Sequence, residues 1–210
     1  MASSPVAWLA VCIASCCASD ATYAATGQQL FASCVACHGA RAEGNAAVGA
    51  PAIAGQSAAY VTRQLQNFRN GLRGVHKDDA YGAQMRATAQ GLLRDDKDVA
   101  AVARHVASLP KTNAGAGKYD ARNGNNLYQG KCGACHGGKA EGNESLAAPR
   151  LAGLDAAYLK RQYRNFGKGV RGAHPEDRYG RQMALMATAI ASERDLDDVV
   201  GYIQSAGVVR

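Results

Sequence analysis

Cys34-Val35-Ala36-Cys37-His38 and Cys132-Gly133-Ala134-Cys135-His136 share one pattern, C-x-x-C-H, and lie 98 residues apart. Two thiols at this spacing can bond to the two vinyl groups along one side of a porphyrin, and the histidine that follows then reaches the iron. The sequence therefore predicts two covalently attached c-type haems. The predicted attachment residues are Cys34, Cys37, Cys132 and Cys135, and the first iron ligands are His38 and His136.

A C-x-x-C pair also occurs in two other kinds of site, thioredoxin-like redox centres and, when doubled, structural zinc centres. Neither explains why a histidine follows the second cysteine in both copies. A zinc centre would also require the two pairs to meet across 98 residues of chain. Haem attachment is therefore the preferred interpretation.

A shift of 98 residues superimposes much more than the two haem motifs, so the chain is an internal duplication. The matching segments include Glu43-Gly44-Asn45 with Glu141-Gly142-Asn143, Asn67-Phe68 with Asn165-Phe166, Arg73-Gly74 with Arg171-Gly172, and Gln84-Met85 with Gln182-Met183. Between the copies, residues 109–117 have the proline, glycine and small polar content of a linker. We predict two haem domains, residues 25–112 and 113–210.

Helical signals occur at equivalent positions in both copies. Apolar residues recur at helical spacing after Ser57 and Asp155, which suit helix N-caps, and Gly71 and Gly169 suit C-terminal stops. Acidic residues open the last helix of each copy, ahead of a stripe of aliphatic residues. No alternation typical of strands occurs, so we expect an all-α fold in which each domain wraps around one haem.

The second iron ligand decides between electron transfer and catalysis at the haem. Beyond residue 24 the chain has three methionines, and Met85 and Met183 each follow the motif histidine of their copy by 47 residues. This equal interval predicts that Met85 and Met183 are the sixth ligands. A thioether ligand favours ferrous iron and raises the potential, as in cytochromes c. Met186 corresponds to Thr88 in the first copy, and we expect it to have a packing role.

Two duplicated histidines are the alternative sixth ligands. His76 and His174 lie in loops of mixed charge, and ligation by them would give a bis-histidine iron of lower potential. The same loop position also suits a solvent-exposed residue, or a contact to a haem propionate or a docking partner.

Residues 1–24 resemble a secretory signal peptide. An apolar run at residues 6–18 is too short to span a bilayer, and the small residues after it suit cleavage after Ala21 or Ala24. However, no Lys or Arg precedes the run, and Ile13-Ala14-Ser15-Cys16 also has the order of a lipid-attachment site. Either leader predicts export. Cleavage at either alanine leaves only the four motif cysteines, so we expect no disulfide.

The positive charge is shared between the two copies. Residues 25–112 contain 10 basic and 6 acidic side chains and residues 113–210 contain 14 and 10, so each copy carries +4. Haem propionates would reduce this charge. A mildly basic surface favours acidic docking partners or peripheral association with an anionic membrane, and it equally suits a plain solvated exterior. We expect no nucleic-acid partner and no small-molecule substrate.

The chain resembles the cytochrome c4 family over essentially its whole length beyond the leader. The resemblance rests on the two C-x-x-C-H motifs, the segments around Pro51 and Pro149, the Tyr-x-x-x-Gln helices and the two Gln-Met pairs. It implies two class I cytochrome c domains packed about a pseudo-twofold axis, thioether bonds at the four motif cysteines, and iron held by His38 with Met85 and by His136 with Met183. It also implies that Pro51 and Pro149 orient the ligand imidazoles through their carbonyls.

By this resemblance the protein is a periplasmic electron carrier and not an enzyme, with a quinol-oxidising cytochrome bc-type complex as donor and a haem-copper oxidase as acceptor. Similar di-haem chains also serve as the electron-accepting subunit of flavin-dependent sulfide dehydrogenases. A third class, the di-haem peroxidases, needs an open iron, which two His/Met pairs would deny. The chain departs from the family in a stretch after Met85 that is one residue longer than its counterpart after Met183, and in a blurred Leu-Ser-Asp turn.

Overall fold

The computed structural model describes residues 25–206, and its regular structure over that range is helical. The first domain contains α1 (Gly27–Phe31), α2 (Val35–His38), α3 (Ala58–Arg69), α4 (Ala80–Leu92) and α5 (Asp96–Ser108). The second contains α6 (Ala121–Tyr128), α7 (Ala134–His136), α8 (Ala156–Gly167), α9 (Arg178–Met186) and α10 (Glu193–Ala206). The all-α prediction is confirmed. The predicted leader, residues 1–24 with Cys16, lies outside the described residues.

The first and last helices of each domain cross at a glycine. A Cβ on Gly27 of α1 would lie 2.1 Å from the carbonyl oxygen of Ala101 in α5, and one on Gly124 of α6 would lie 2.2 Å from that of Asp198 in α10. Only glycine allows this approach. Two ring pairs lie at the crossings: Phe31 with His105 at 5.2 Å, and Tyr128 with Tyr202 at 4.9 Å between centroids.

The helix ends follow the predicted caps. The side chain of Ser57 accepts a hydrogen bond from the Tyr60 amide of α3, and that of Asp155 accepts one from the Tyr158 amide of α8. Gly71 and Gly169, just beyond the ends of α3 and α8, have φ angles of 73° and 68°. A side chain is strained at such angles, which is why glycine ends these helices.

The offset between equivalent residues of the two copies changes by one residue in two places. Phe31 lies three positions before Cys34, whereas Tyr128 lies four before Cys132, and the added residue is taken up in a π-helical turn at Gln129–Gly133. A π turn holds one more residue than an α turn. The second change follows the methionine helices. α5 and α10 begin at residues 97 apart, which confirms the longer stretch predicted in the first copy.

Each domain has its own apolar core, and the two cores meet. Val61, Leu65 and Phe68 of α3 pack with the valines of α5 in the first domain. The core of the second domain is built from α6, α8 and α10 and also includes Ala52 of the first domain. Residues 109–120 connect α5 to α6, and the predicted division at residues 112 and 113, which lies within this connection, stays a prediction.

The domains contact each other through reciprocal pairs. Arg63 donates to the carbonyl oxygen of Ala147 at 2.7 Å, and Arg161, its counterpart 98 residues on, donates to that of Gly49 at the same distance. Such exchange of equivalent contacts is the mark of an approximate twofold axis. From residue 25 to residue 206, no helix combines the length and apolar character that a bilayer crossing requires.

Candidate haem sites

Each C-x-x-C-H motif ends on a short helix, α2 or α7, whose last residue is the motif histidine. Gly39 and Gly137 follow with φ angles of 81° and 82°, so the chain turns away immediately after the imidazole. The cysteine side chains are partly buried. Burial is the main reason that the pKa of Cys34 is raised and that the pKa of Cys132 rises to about 11.

Both motif histidines are buried and held by a proline carbonyl. Nδ1 of His38 donates to the carbonyl oxygen of Pro51, and Nδ1 of His136 donates to that of Pro149, each at 2.9 Å. A carbonyl oxygen only accepts, so Nδ1 must carry the proton and Nε2 keeps a free lone pair. Burial lowers the pKa of both imidazoles, which favours the neutral form that a metal requires.

A tight loop brings the proline carbonyl to the imidazole. In the first domain, Asn45 and Ala50 exchange backbone hydrogen bonds of 2.9 and 3.0 Å, which folds the segment after His38 back on itself. Gly44 has a φ of 86°, and a Cβ there would lie 2.4 Å from the amide nitrogen of Ala52. The same pairing recurs between Asn143 and Ala148. The duplicated Glu-Gly-Asn segment therefore positions the histidine.

The predicted methionines lie on α4 and α9, each in the same domain as the motif histidine with which it is expected to pair. In the second domain, Met183 of α9 lines one cavity together with Cys132, Cys135 and His136. In the first domain, Met85 of α4 and Cys34 pack against the same apolar core. The structure therefore brings thiols, imidazole and thioether of the second domain around one space.

This cavity has a volume of about 200 Å³ and lies against the domain contact. Most of its lining is apolar, from α8, α9 and α10. The rest of its wall comes from the haem motif and loops of the second domain, and from the first domain with Pro51, Ile53, Tyr60 and Gln64. A group bound here would touch both domains.

Two buried aspartates orient the methionine helices, and the sequence reasoning missed them. Asp79 accepts a hydrogen bond from the Gly82 amide at the start of α4, at 2.9 Å, and Asp177 accepts one from the Gly180 amide at the start of α9, at 3.0 Å. Both carboxylates are buried. The available signal was their repetition 98 residues apart, three positions before a glycine.

Comparison with known proteins agrees with this geometry. The family model for cytochrome c matches twice, over residues 24–110 and 121–207. Cytochrome c4 of Azotobacter vinelandii is 31% identical over 190 residues, covering 86% of this chain and 88% of the relative. The chain belongs to the cytochrome c4 family. Like that family, it is a di-haem electron-transfer protein with two covalently bound haem c groups.

One further sequence relative and one solved structure are also similar to this chain. The thiosulfate dehydrogenase electron acceptor of Stutzerimonas stutzeri (strain A1501) is 30% identical, with 88% of each chain covered. The crystal structure of reduced recombinant cytochrome c4 from Pseudomonas stutzeri is 28% identical, with a TM-score of 0.67, 85% of this chain covered and 95% of that one. The prediction of two tandem cytochrome c domains is confirmed.

A pair of buried arginines in this cytochrome fits the acidic edge of a haem. Arg73 and Arg171 are each 8% exposed, and both donate to the side-chain oxygens of Gln64 and Gln162 at 2.7 to 3.2 Å. Within residues 25–206 neither forms an ion pair, although Asp177 is close enough to interact electrostatically with Arg171.

Neither guanidinium is therefore neutralised by an ion pair with a carboxylate among the described residues. Nε of Arg73 and Nε of Arg171 are buried without a hydrogen-bond partner. Burial opposes ionisation of the neighbouring Tyr158, yet both guanidiniums hold its pKa below the ordinary value. Buried charge is costly unless it is paired. Because Arg171 lines the cavity, the arginines suit the carboxylates of haem propionates.

The alternative ligand histidines have local partners. Nδ1 of His76 accepts a hydrogen bond from the Asp78 amide, and Nδ1 of His174 accepts one from the Glu176 amide, both at 3.2 Å. Among the described residues, His174 is not part of the lining of the second-domain cavity, whereas Met183 is. Met186 is 42% exposed at the end of α9, on the rim of that cavity, so its expected packing role is not that of a core residue.

Proposed function

We propose that this cytochrome is a periplasmic carrier that passes electrons from a quinol-oxidising cytochrome bc-type complex to a haem-copper terminal oxidase. Two observations support the proposal: a histidine held by a proline carbonyl in each domain, and a methionine that follows it by 47 residues in each copy. A pair of this kind closes both faces of an iron, which suits electron transfer and leaves no position for a substrate.

The residues proposed to hold the two haems are those predicted from the sequence. The first haem would form thioether bonds with Cys34 and Cys37, and its iron would be ligated by His38 and Met85. The second haem would bond to Cys132 and Cys135, and its iron would be ligated by His136 and Met183. The iron supplies a one-electron Fe(II)/Fe(III) couple when it is bound. The protein orients the imidazoles through Pro51 and Pro149 and shields the site with the apolar lining of the cavity.

A second candidate function is the electron-accepting partner of a periplasmic sulfur-compound dehydrogenase. The relative named thiosulfate dehydrogenase electron acceptor is covered along 88% of its length, as fully as the cytochrome c4 of Azotobacter vinelandii. This differs from the flavin-dependent sulfide dehydrogenase subunit expected from the family resemblance. Both candidates use the same haem chemistry and differ in the electron donor.

The donor can be tested directly on the purified ferric protein. We expect membranes of the source organism to reduce both haems rapidly when a quinol is added, and an inhibitor of the bc-type complex to stop the reduction. The reduced protein should then be reoxidised by the same membranes, in a reaction that cyanide blocks. The measurement is the haem absorbance in stopped flow.

The opposite pattern would reject the respiratory route. A ferric protein that quinol and membranes leave oxidised, but that thiosulfate dehydrogenase with thiosulfate reduces within seconds, belongs to the second candidate function. Fast binding of cyanide or peroxide by the resting ferric protein would indicate an open iron and exclude both carrier functions.

The buried arginines give a further prediction about the potentials. Arg73→Gln and Arg171→Gln each remove a positive charge that favours the ferrous state, so each should lower the haem potentials. The expected fall is on the order of 50 mV, or ~1 kcal/mol for a one-electron couple in a partly screened site. Spectroelectrochemical titration measures both potentials.

Arg104→Gln is the matched control, because Arg104 lies exposed on α5 and makes the same charge change in solvent. Its effect on the potentials should be within a few millivolts. Equal shifts in the buried and exposed variants would rule out a propionate contact.

A further inference from the structure

Two arginines reach across the domain contact, and each lies between two tyrosine rings. The guanidinium carbon of Arg63 on α3 lies 5.4 Å from the ring centroid of Tyr60 in its own domain and 4.5 Å from that of Tyr179 in the other. Its Nη2 atom donates to the carbonyl oxygen of Ala147 at 2.7 Å, also in the other domain. Arg63 thus connects α3 to α9.

The same arrangement recurs in the opposite direction. The guanidinium carbon of Arg161 on α8 lies 5.4 Å from the ring centroid of Tyr158 and 4.2 Å from that of Tyr81, on α4 of the first domain. Its Nη2 atom donates to the carbonyl oxygen of Gly49 at 2.7 Å. All three partners occupy positions 98 residues from those of the Arg63 partners.

The rings that the arginines contact belong to the helices that carry the methionines. Tyr179 lies four residues before Met183 on α9, and Tyr81 lies four residues before Met85 on α4. Residues four apart share one face of a helix and lie one turn from each other. A guanidinium stacked on the tyrosine therefore restrains the turn from which the methionine projects.

The arginines act by stacking and by hydrogen bonding, and not by pairing with an acid. In the part of the chain that the structure describes, neither Arg63 nor Arg161 forms an ion pair. Their Nε atoms are buried without a partner. A flat cation between two rings resists both tilt and slide, because stacking and the carbonyl hydrogen bond each depend on direction.

We propose that Arg63 is a positioning residue for Met183 and Arg161 is a positioning residue for Met85, so that each domain holds the sixth iron ligand of the other. The inference rests on the proposed methionine ligation. Its consequence is that the domain contact controls how readily a methionine leaves its iron. Loosening one arginine should free the methionine of the opposite domain and leave that of its own domain in place.

The test follows one methionine at a time. In a Met85→Ala background, the weak far-red band of ferric methionine-ligated haem reports only Met183. Added imidazole displaces Met183 from the iron, and the disappearance of the band measures the rate of that displacement. Adding Arg63→Gln should increase the rate of displacement about tenfold, the effect expected from losing a stacked and hydrogen-bonded cation. Adding Arg161→Gln should leave the rate unchanged.

The reciprocal background completes the design. With Met183→Ala, the band reports Met85, and now Arg161→Gln should accelerate displacement while Arg63→Gln should not. Arg69→Gln and Arg164→Gln are the matched controls on α3 and α8. Their arginines pair with Asp96 and Glu193 of their own domains and should have no effect in either background.

Other variants keep the test informative if Arg63→Gln does not fold. Tyr179→Leu removes the stacked ring but keeps the arginine, and it should accelerate Met183 displacement as Arg63→Gln does. Arg63→Lys keeps a cation without the planar fork and should give an intermediate rate. The inference is overturned if the rate of methionine displacement depends on the arginine of the methionine's own domain, or on neither arginine. A wild-type ferric protein without the far-red band instead overturns the ligand set of the proposed function.

Discussion

Replacing both Cys132 and Cys135 by alanine is expected to halve the covalently bound haem, from two groups per chain to one, and to leave the second domain unfolded. These cysteines line the cavity that the second haem would fill. An empty space of about 200 Å³ costs about 5 kcal/mol, which is as much as the whole stability of many small domains. Mass spectrometry and a haemochrome assay measure the haem content, and circular dichroism measures the loss of helix.

The matched variant carries alanine at Cys34 and Cys37 and should lose the first haem instead. Comparison of the two variants reports how far each domain depends on the other, since Ala52 of the first domain is part of the core of the second. A double-alanine protein that still binds two haems covalently would show that the motif is not the attachment site.

Replacing Met85 or Met183 by alanine is expected to halve the far-red band and to lower the potential of the affected haem by on the order of 100 mV. The thioether favours ferrous iron, so its loss stabilises the ferric state. The altered iron should also bind imidazole without delay, since its sixth position is open. Absorbance spectra and a potentiometric titration record both effects.

Three single variants serve as controls for this experiment. Met186→Ala removes the unduplicated methionine at the end of α9, and His76→Ala and His174→Ala remove the alternative ligands. All three should keep the band at two-haem intensity and both potentials unchanged. If His76→Ala changes the absorbance spectrum of one haem while Met85→Ala has no effect, the first haem has bis-histidine ligation.

Local signals predicted much of the fold because their causes lie within a few residues. The caps at Ser57 and Asp155 depend on a side chain and an amide three positions later, so the sequence alone identifies them. The equal interval from motif histidine to methionine likewise predicted that Met183 and His136 belong to one site, and both line the same cavity. The repeat doubled the strength of each of these observations.

Contacts between the domains could not be predicted in the same way. The carbonyl partners of Arg63 and Arg161 lie 84 and 112 residues away along the chain. Periodicity shows which face of a helix is apolar, but it does not show which surface that face meets. The arginines and their tyrosine neighbours are repeated in the sequence, and this repetition was the signal that sequence reasoning left unused.

The π turn at Gln129–Gly133 also escaped prediction, for a different reason. One added residue can be absorbed by a longer loop, a wider helical turn or a shifted helix, and the sequence does not distinguish these outcomes. Here α6 must keep Gly124 against α10 while Cys132 keeps its place in the cavity. With both ends held, the extra residue widens the turn between them.

The reciprocal contact between the domains gives the molecule the character of a fused homodimer. An interface that uses the same surface on both partners joins only two copies, because the surface that a third copy would bind is already buried in each. The peptide link adds a second property, since tethered partners keep a high local concentration of each other at any dilution. Two separate domains would part as they are diluted, whereas this chain delivers its haems as a pair.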